Sequence, residues 1–208
     1  AVPTLGTAVL TWRIGGLLYG RRAGLLSAII LVTSVGVFRY TRVAATDSLL
    51  VFSLTLSMYG FVTTIMNQSS AIKDRWSGPL LCYLGLALGV LSKGLVGVVF
   101  PLLIAGLYLW FSGDRIAISN MQLKWGLVLF LGLTLPWHFL ATWRNPGFFE
   151  FYVIDNQFLR FLSNRAYIED DIPVGAVSFL VLTWIWFFPW SLFLLGTFKH
   201  GFPHANLS

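Results

Sequence analysis

PLLCYLGLALGVLSKGLVGVVFPLLIAGLYLWF, residues 79 to 111, decides the fold. Its 33 residues carry one charge, Lys93, between Ser92 and Gly94. As a single helix it would be about 50 Å long at the α-helical rise, too long for one ordinary bilayer crossing. Two apolar helices that meet at Lys93 fit better, with Gly94 allowing the turn. The sequence on either side repeats the theme. Apolar stretches cover roughly 3–18, 23–38, 47–66, 123–140 and 174–196, so the chain is expected to be an all-α, polytopic transmembrane helix bundle of about seven spans.

Composition agrees with that class. Hydrophobic residues make up 57% of the 208, charged residues only 11%, where a soluble domain carries about 25%. Mean hydropathy is +0.77. Short alternating segments of the outer-membrane barrel type are absent. Lone Cys82 lies in an apolar run, which leaves no disulfide framework. The connections are read as Gly20-Arg21-Arg22, 39–46, a polar stretch at 67–78, and 113–122. The chain opens inside an apolar segment, with neither an initiator Met nor a basic leader, and it ends just after another span. We expect a single transmembrane domain over 1–208 that is an internal fragment of a longer protein.

The basic residues divide by side. Arg13, Arg21, Arg22, Lys73, Arg75, Arg115, Lys124 and Lys199 fall on one face of the membrane with Asp74 and Asp114. Arg39, Arg42, Lys93, Arg144, Arg160 and Arg165 fall on the other with the remaining acids. The positive-inside rule makes the first face cytoplasmic. Asp47, Lys93 and the segment 141–173 then share the outer face, and the net charge of +6 is a topology signal rather than a nucleic-acid footprint.

Segment 141–173, ATWRNPGFFEFYVIDNQFLRFLSNRAYIEDDIP, is the long polar one. It interleaves acids and arginines with Phe, Tyr and Trp, and is expected to be an outer amphipathic loop that packs on the bundle. IDNQFLRF is read as an amphipathic turn with Asn156 and Arg160 on one face at i, i+4. Asp47 opens a span, either as a helix cap or as a polar site residue, with Arg39 and Arg42 close in sequence. Lys93 is either a snorkelling helix-end lysine or an ammonium that meets a phosphate. Arg160 is suited to bidentate phosphate contact, or else pairs with Asp155 or Glu169. Glu169-Asp170-Asp171 leaves a divalent cation open. His138, His200 and His204 lack metal spacing, and no P-loop, nucleophile elbow or dinucleotide fingerprint is present.

Four pieces stand in a familiar order: GRRAGLLSAIILVTSVGVFRYTRVAATDSLLVF, LGLALGVLSKGLVGVVFPLL, LPWHFLATWRNPGFFEFYVIDNQFLRF and FFPWSLFLL. Together they resemble the GT-C glycosyltransferases of family 39, the protein O-mannosyltransferases and lipid A aminoarabinose transferases. The resemblance implies transfer of a sugar from a polyprenyl-phosphate carrier to a lipid or protein acceptor on the non-cytoplasmic side. It makes Asp47 an auxiliary catalytic residue, sets Lys93, Arg160 and Arg42 on the donor phosphate, and lines the same cavity with Asn156 and Asp155. The family's principal acid lies in a first outer loop that would precede Pro3, so the fragment alone is expected to be inactive.

The implied partners are a polyprenyl-phosphate-linked sugar, its acceptor and membrane lipids, with no nucleic acid. The implied location is a bacterial inner membrane, with 141–173 facing the periplasm. Two other classes compete. A secondary-transporter fragment would explain the helix broken at Lys93, but no second matching broken segment is found. A non-catalytic membrane scaffold would use 141–173 to bind a partner.

Overall fold

Small residues recur every three or four positions in two stretches: Ser53, Ser57, Gly60 and Thr64, then Gly78, Cys82, Gly85 and Gly89. That spacing puts each set on one helix face. In lipid, where apolar side chains gain little from leaving the solvent, such faces let helix backbones approach and gain van der Waals contact. The computed structural model describes residues 1–42, 46–66, 72–159 and 175–200, and these two stripes form its spine. Helix α4 (Asp47–Met66) and helix α5 (Ile72–Lys93) run antiparallel in contact. A Cβ on Gly60 would lie 2.2 Å from the Cys82 nitrogen, and one on Gly85 2.4 Å from the Ser57 nitrogen. Ser53 and Ser57 are fully buried, and the Ser57 hydroxyl lies 3.5 Å from Cys82 Sγ.

The other elements join this pair in chain order. Helices α1 (Val2–Tyr19) and α2 (Arg21–Thr33) form a hairpin about Gly20. A Cβ on Gly24 would sit 2.4 Å from the Trp12 carbonyl, so only glycine permits that crossing. α1 packs on α4, where the Phe52 ring covers Gly6. α3 (Val35–Arg42) follows. After α5, Gly94 turns the chain at φ 71 into α6 (Val96–Ser112), and Gly89 meets Gly97 across that hairpin. α7 (Arg115–Asn120) is a short helix capped by the Asp114 carboxylate, which accepts from the Ala117 N–H at 2.9 Å. α8 (Leu123–Arg144) packs on α5, with Gly126 under the Tyr83 ring. α9 (Glu150–Leu159) is π-wound. α10 (Ala176–Trp186) and α11 (Ser191–His200) close the order.

Among the described residues the chain is all-helical, as expected. α4 and α8 are each long and apolar enough to cross a bilayer. Only 11% of α8's apolar stretch is buried, against 39% for α4. Leu127, Val128, Leu135, Phe139 and Trp143 of α8 are exposed. A surface this apolar requires lipid or further protein against it.

Three sequence expectations are corrected. The stretch 67–78 was expected to be a polar connection, yet α5 already begins at Ile72 and holds Pro79 in its interior. The close contact of Gly78 with Gly60 and Thr64 extends the helical pairing beyond the proline. The stretch 23–38 was expected to be one span, but the helix breaks at Ser34, whose ψ of 133 is extended. The stretch 174–196 breaks likewise at Phe187–Trp190. The two breaks satisfy one another. Val35 N–H donates to the Phe188 carbonyl at 3.1 Å, and Trp190 Nε1 donates to Thr33 Oγ1 at 2.8 Å. Backbone groups freed by a broken helix need such partners in a membrane.

Candidate functional site

The antiparallel register of α4 and α5 builds one end of the bundle. Thr64, Gly60 and Ser57 meet Gly78, Cys82 and Gly85 in reverse order. Continued toward the start of α4, that register brings Asp47 opposite the end of α5. There the Asp47 carboxylate forms an ion pair with Lys93 Nζ. Thr46 carries the capping carbonyl, which accepts from Leu50 N–H at 3.0 Å. Asp47 is thus the first helical residue, and its carboxylate sits at the positive end of α4. Lys93 occupies the last turn of α5, the negative end. Both placements are the ones the helix dipoles favour. The two side chains remain 44% and 40% exposed, so each can still meet a ligand.

α9 arrives at the same end. The Tyr152 hydroxyl donates to the Val90 carbonyl at 3.4 Å, and that carbonyl also accepts Gly94 N–H at 2.8 Å. The Tyr152 ring stacks on Phe148 at 5.1 Å and meets Trp137 and His138 of α8. His138 Nδ1 lies 2.8 Å from the Thr134 carbonyl. Burial pushes the Tyr152 hydroxyl above its ordinary value of 10, so it stays a donor through neutral pH.

Beside Asp47 lies a cavity of about 630 Å³, walled by α1, α2, α3, α4 and α10. Thr7, Ser27, Ser34, Thr41 and Thr183 line it. Each of these hydroxyls donates to the carbonyl four residues back in its own helix. With these five hydroxyls so engaged, the wall is largely apolar, and Asp47 is the one charged side chain that lines it.

Of the residues singled out in the sequence, Asp47 and Lys93 are brought into contact. Asp155 and Asn156 lie on half-buried positions of α9. Arg42 closes α3, its side chain outside the described set. Arg160, Arg165 and Glu169-Asp170-Asp171 lie outside the described residues. The expected amphipathic turn bearing Asn156 and Arg160 at i, i+4 falls only partly on the described residues, because Arg160 lies outside them. α9 itself is π-wound over Glu150–Leu159, with backbone bonds that span five residues. Among the described residues no cluster of His, Cys, Asp and Glu has metal-binding geometry. Sequence reasoning missed Tyr152 and the α4–α5 stripe. The stripe was visible as small residues at helical spacing, while nothing local marks Tyr152 as a partner of Val90.

Comparison with known proteins fits this architecture. The family model for dolichyl-phosphate-mannose-protein mannosyltransferases matches residues 1–152. The chain belongs to that family. The family's match runs through both Asp47 and Lys93. A curated relative, the undecaprenyl phosphate-alpha-4-amino-4-deoxy-L-arabinose arabinosyl transferase of Enterobacter sp. (strain 638), is 24% identical over 98% of this chain and 36% of its own length. An uncharacterized protein of Aquifex aeolicus is 29% identical over 97% of this chain and 44% of its own. Among solved structures, ArnT from Cupriavidus metallidurans bound to undecaprenyl phosphate superposes with a TM-score of 0.83 at 22% identity, covering 95% of this chain and 35% of that one. Its apo form gives 0.78 at 20% identity. The chain therefore has the fold of part of that membrane protein, and spans about a third of the length of the arabinosyl transferase relatives.

Proposed function

We propose that this chain forms the donor-phosphate end of a membrane glycosyltransferase, which moves a sugar from a polyprenyl-phosphate carrier to a lipid or protein acceptor. The observation that carries the reading is the Asp47–Lys93 pair, whose Asp47 also lines a largely apolar cavity. A polyprenyl phosphate needs both parts: an ammonium for its headgroup and an apolar slot for its chain. The family description and the arabinosyl transferase relatives name different sugars and share a polyprenyl-phosphate carrier, so the carrier is the part of the substrate proposed here. The ArnT structure with undecaprenyl phosphate supports the same choice.

In the proposed reaction the bond between the sugar's anomeric carbon and the phosphate oxygen breaks, and the polyprenyl phosphate leaves with the electron pair. Lys93 stabilises the charge that develops on that phosphate. Arg160 and Arg42 are proposed as further phosphate contacts, with Asp155 and Asn156 lining the approach. The acceptor hydroxyl forms the new glycosidic bond and gives its proton to a carboxylate acting as general base. Asp47 is a poor candidate for that base, because the Lys93 ammonium already engages its charge. Its proposed role is auxiliary: it orients Lys93 toward the phosphate. The membrane side is proposed to be the periplasmic face of a bacterial inner membrane.

The test uses the full-length protein in nanodiscs with undecaprenyl phosphate as the probe. Lys93→Ala should weaken binding by about tenfold or more, the value of a charge-assisted contact. Lys124→Ala, in the first turn of α8 at the opposite end of the bundle, should leave it unchanged. Equal binding by both variants would defeat the donor reading, as would wild-type protein that fails to bind the lipid.

A further inference from the structure

We propose that Tyr152 is a positioning residue, which registers α9 on the Val90–Gly94 turn and so sets how tightly the donor phosphate is held beside Lys93. The inference deepens the donor-site reading and rests on it.

Three observations carry it. The Tyr152 hydroxyl reaches across 62 positions of sequence to the Val90 carbonyl at 3.4 Å. That carbonyl belongs to the last turn of α5 and already accepts Gly94 N–H at 2.8 Å, so the bond falls on the turn that aims Lys93. The ring is held on several sides: Phe148 stacks on it with an interplanar angle of 11°, while Trp137 and His138 meet it from α8. Tyr152 thus links α5, α8 and α9 at one point. The third observation is the winding of α9. A ten-residue π-helix is a rare element, since π winding is found mostly as single-turn bulges, which are frequent at functional sites. A segment of that kind needs tertiary contacts to fix its rotation, and its rotation decides where Asp155 and Asn156 stand.

The bland alternative is an interfacial aromatic, one ring in the belt that anchors membrane proteins. The two readings differ over the hydroxyl. A belt residue keeps its work when Tyr becomes Phe, whereas a tether loses its bond.

The experiment compares wild type, Tyr152→Phe and Lys93→Ala in the full-length protein in nanodiscs. Undecaprenyl phosphate binding and amide exchange over residues 90–94 and 150–159 are both measured. Tyr152→Phe should weaken lipid binding measurably, by up to about fivefold, the limit in which the whole ~1 kcal/mol of the lost hydrogen bond is coupled to the site. It should also speed exchange in both segments, with no more loss of melting temperature than one hydrogen bond accounts for. Unchanged binding overturns the proposal even where exchange quickens, because Tyr152 is then only structural. Unchanged exchange overturns it too, since no register was lost. Unchanged binding in Lys93→Ala, with weakened binding in Tyr152→Phe, would instead defeat the placement of the phosphate on Lys93 and leave the tether standing.

Discussion

Asp47, the first residue of α4, and Lys93, the last of α5, close the antiparallel helix pair with an ion pair at one end of the bundle. The small-residue stripe further along the helices sets their register, and the ion pair follows from it. Packing therefore holds the two charges together, and the ion pair is not what brings the helices into contact.

Energetics should separate these two roles. Both side chains are about two-fifths exposed, and pairs of that kind contribute roughly 0.2–1 kcal/mol. A double-mutant cycle with Asp47→Asn and Lys93→Met, read by thermal unfolding of the full-length protein, should give a coupling of about 1 kcal/mol or less. Activity should fall far more than stability in each single variant. A coupling several times larger, with unfolding of both single variants, would make the pair a structural clamp.

The stripe itself predicts which glycines tolerate a side chain. A Cβ on Gly60 or Gly85 would lie within 2.4 Å of backbone atoms of the facing helix, so α4 and α5 would have to move apart. Gly60→Val and Gly85→Val should each destabilise by about 1–3 kcal/mol, the usual cost of overpacking, or prevent folding. Gly106 and Gly132 have open space at the same position, and Ala at either helical site should be neutral or stabilising by up to about 1 kcal/mol. Thermal unfolding of purified full-length variants checks the contrast. Equal tolerance at all four sites would mean that α4 and α5 are not in this contact.

The mutual bond between the two helix breaks gives a third expectation. Trp190→Phe keeps an aromatic ring and loses the Nε1 donor to Thr33, at a cost of about 0.5–1.5 kcal/mol. Thr33→Val should cost a similar amount, and the double variant little more than either alone. Additive losses in thermal unfolding would show that the two residues act separately.

The parts of this architecture legible in the sequence were those with strong local signals. Asp47 before a long apolar run marked the start of α4, and a lone lysine beside Gly94 marked the end of α5. The start of α5 was hidden because the charges of Lys73, Asp74 and Arg75 read as a polar connection, and Gly78 and Pro79 are poor helix formers taken alone. Their helical state depends on Gly78 packing against Gly60 and Thr64, a contact between segments. The break at Ser34 carries neither glycine nor proline, and it is completed by Phe188, far along the chain. The π-winding of α9 has no composition signature at all. For the candidate site, the pairing of Asp47 with Lys93 was reachable only as a shared membrane face, because register between helices is set by the stripe and not by residues near either charge.

That shared face is the last expectation. α4 starts, α5 ends and α9 docks at one end of the bundle, whereas Gln122 caps the start of α8 at the other end, one helix length away. In a full-length protein with Cys82 replaced by Ala, single cysteines at Thr46, Lys93 and Asn156 should all react with a membrane-impermeant thiol reagent from one side. A cysteine at Gln122 should react only from the opposite side, after the membrane is opened. The native Cys82 is buried, so its removal guards against background labelling. The positive-inside rule sets the first three on the non-cytoplasmic side. Intact cells that label Gln122 and protect the other three would reverse that orientation and keep the bundle. Labelling of Lys93 and Thr46 from different sides would contradict the antiparallel pairing on which the candidate site is built.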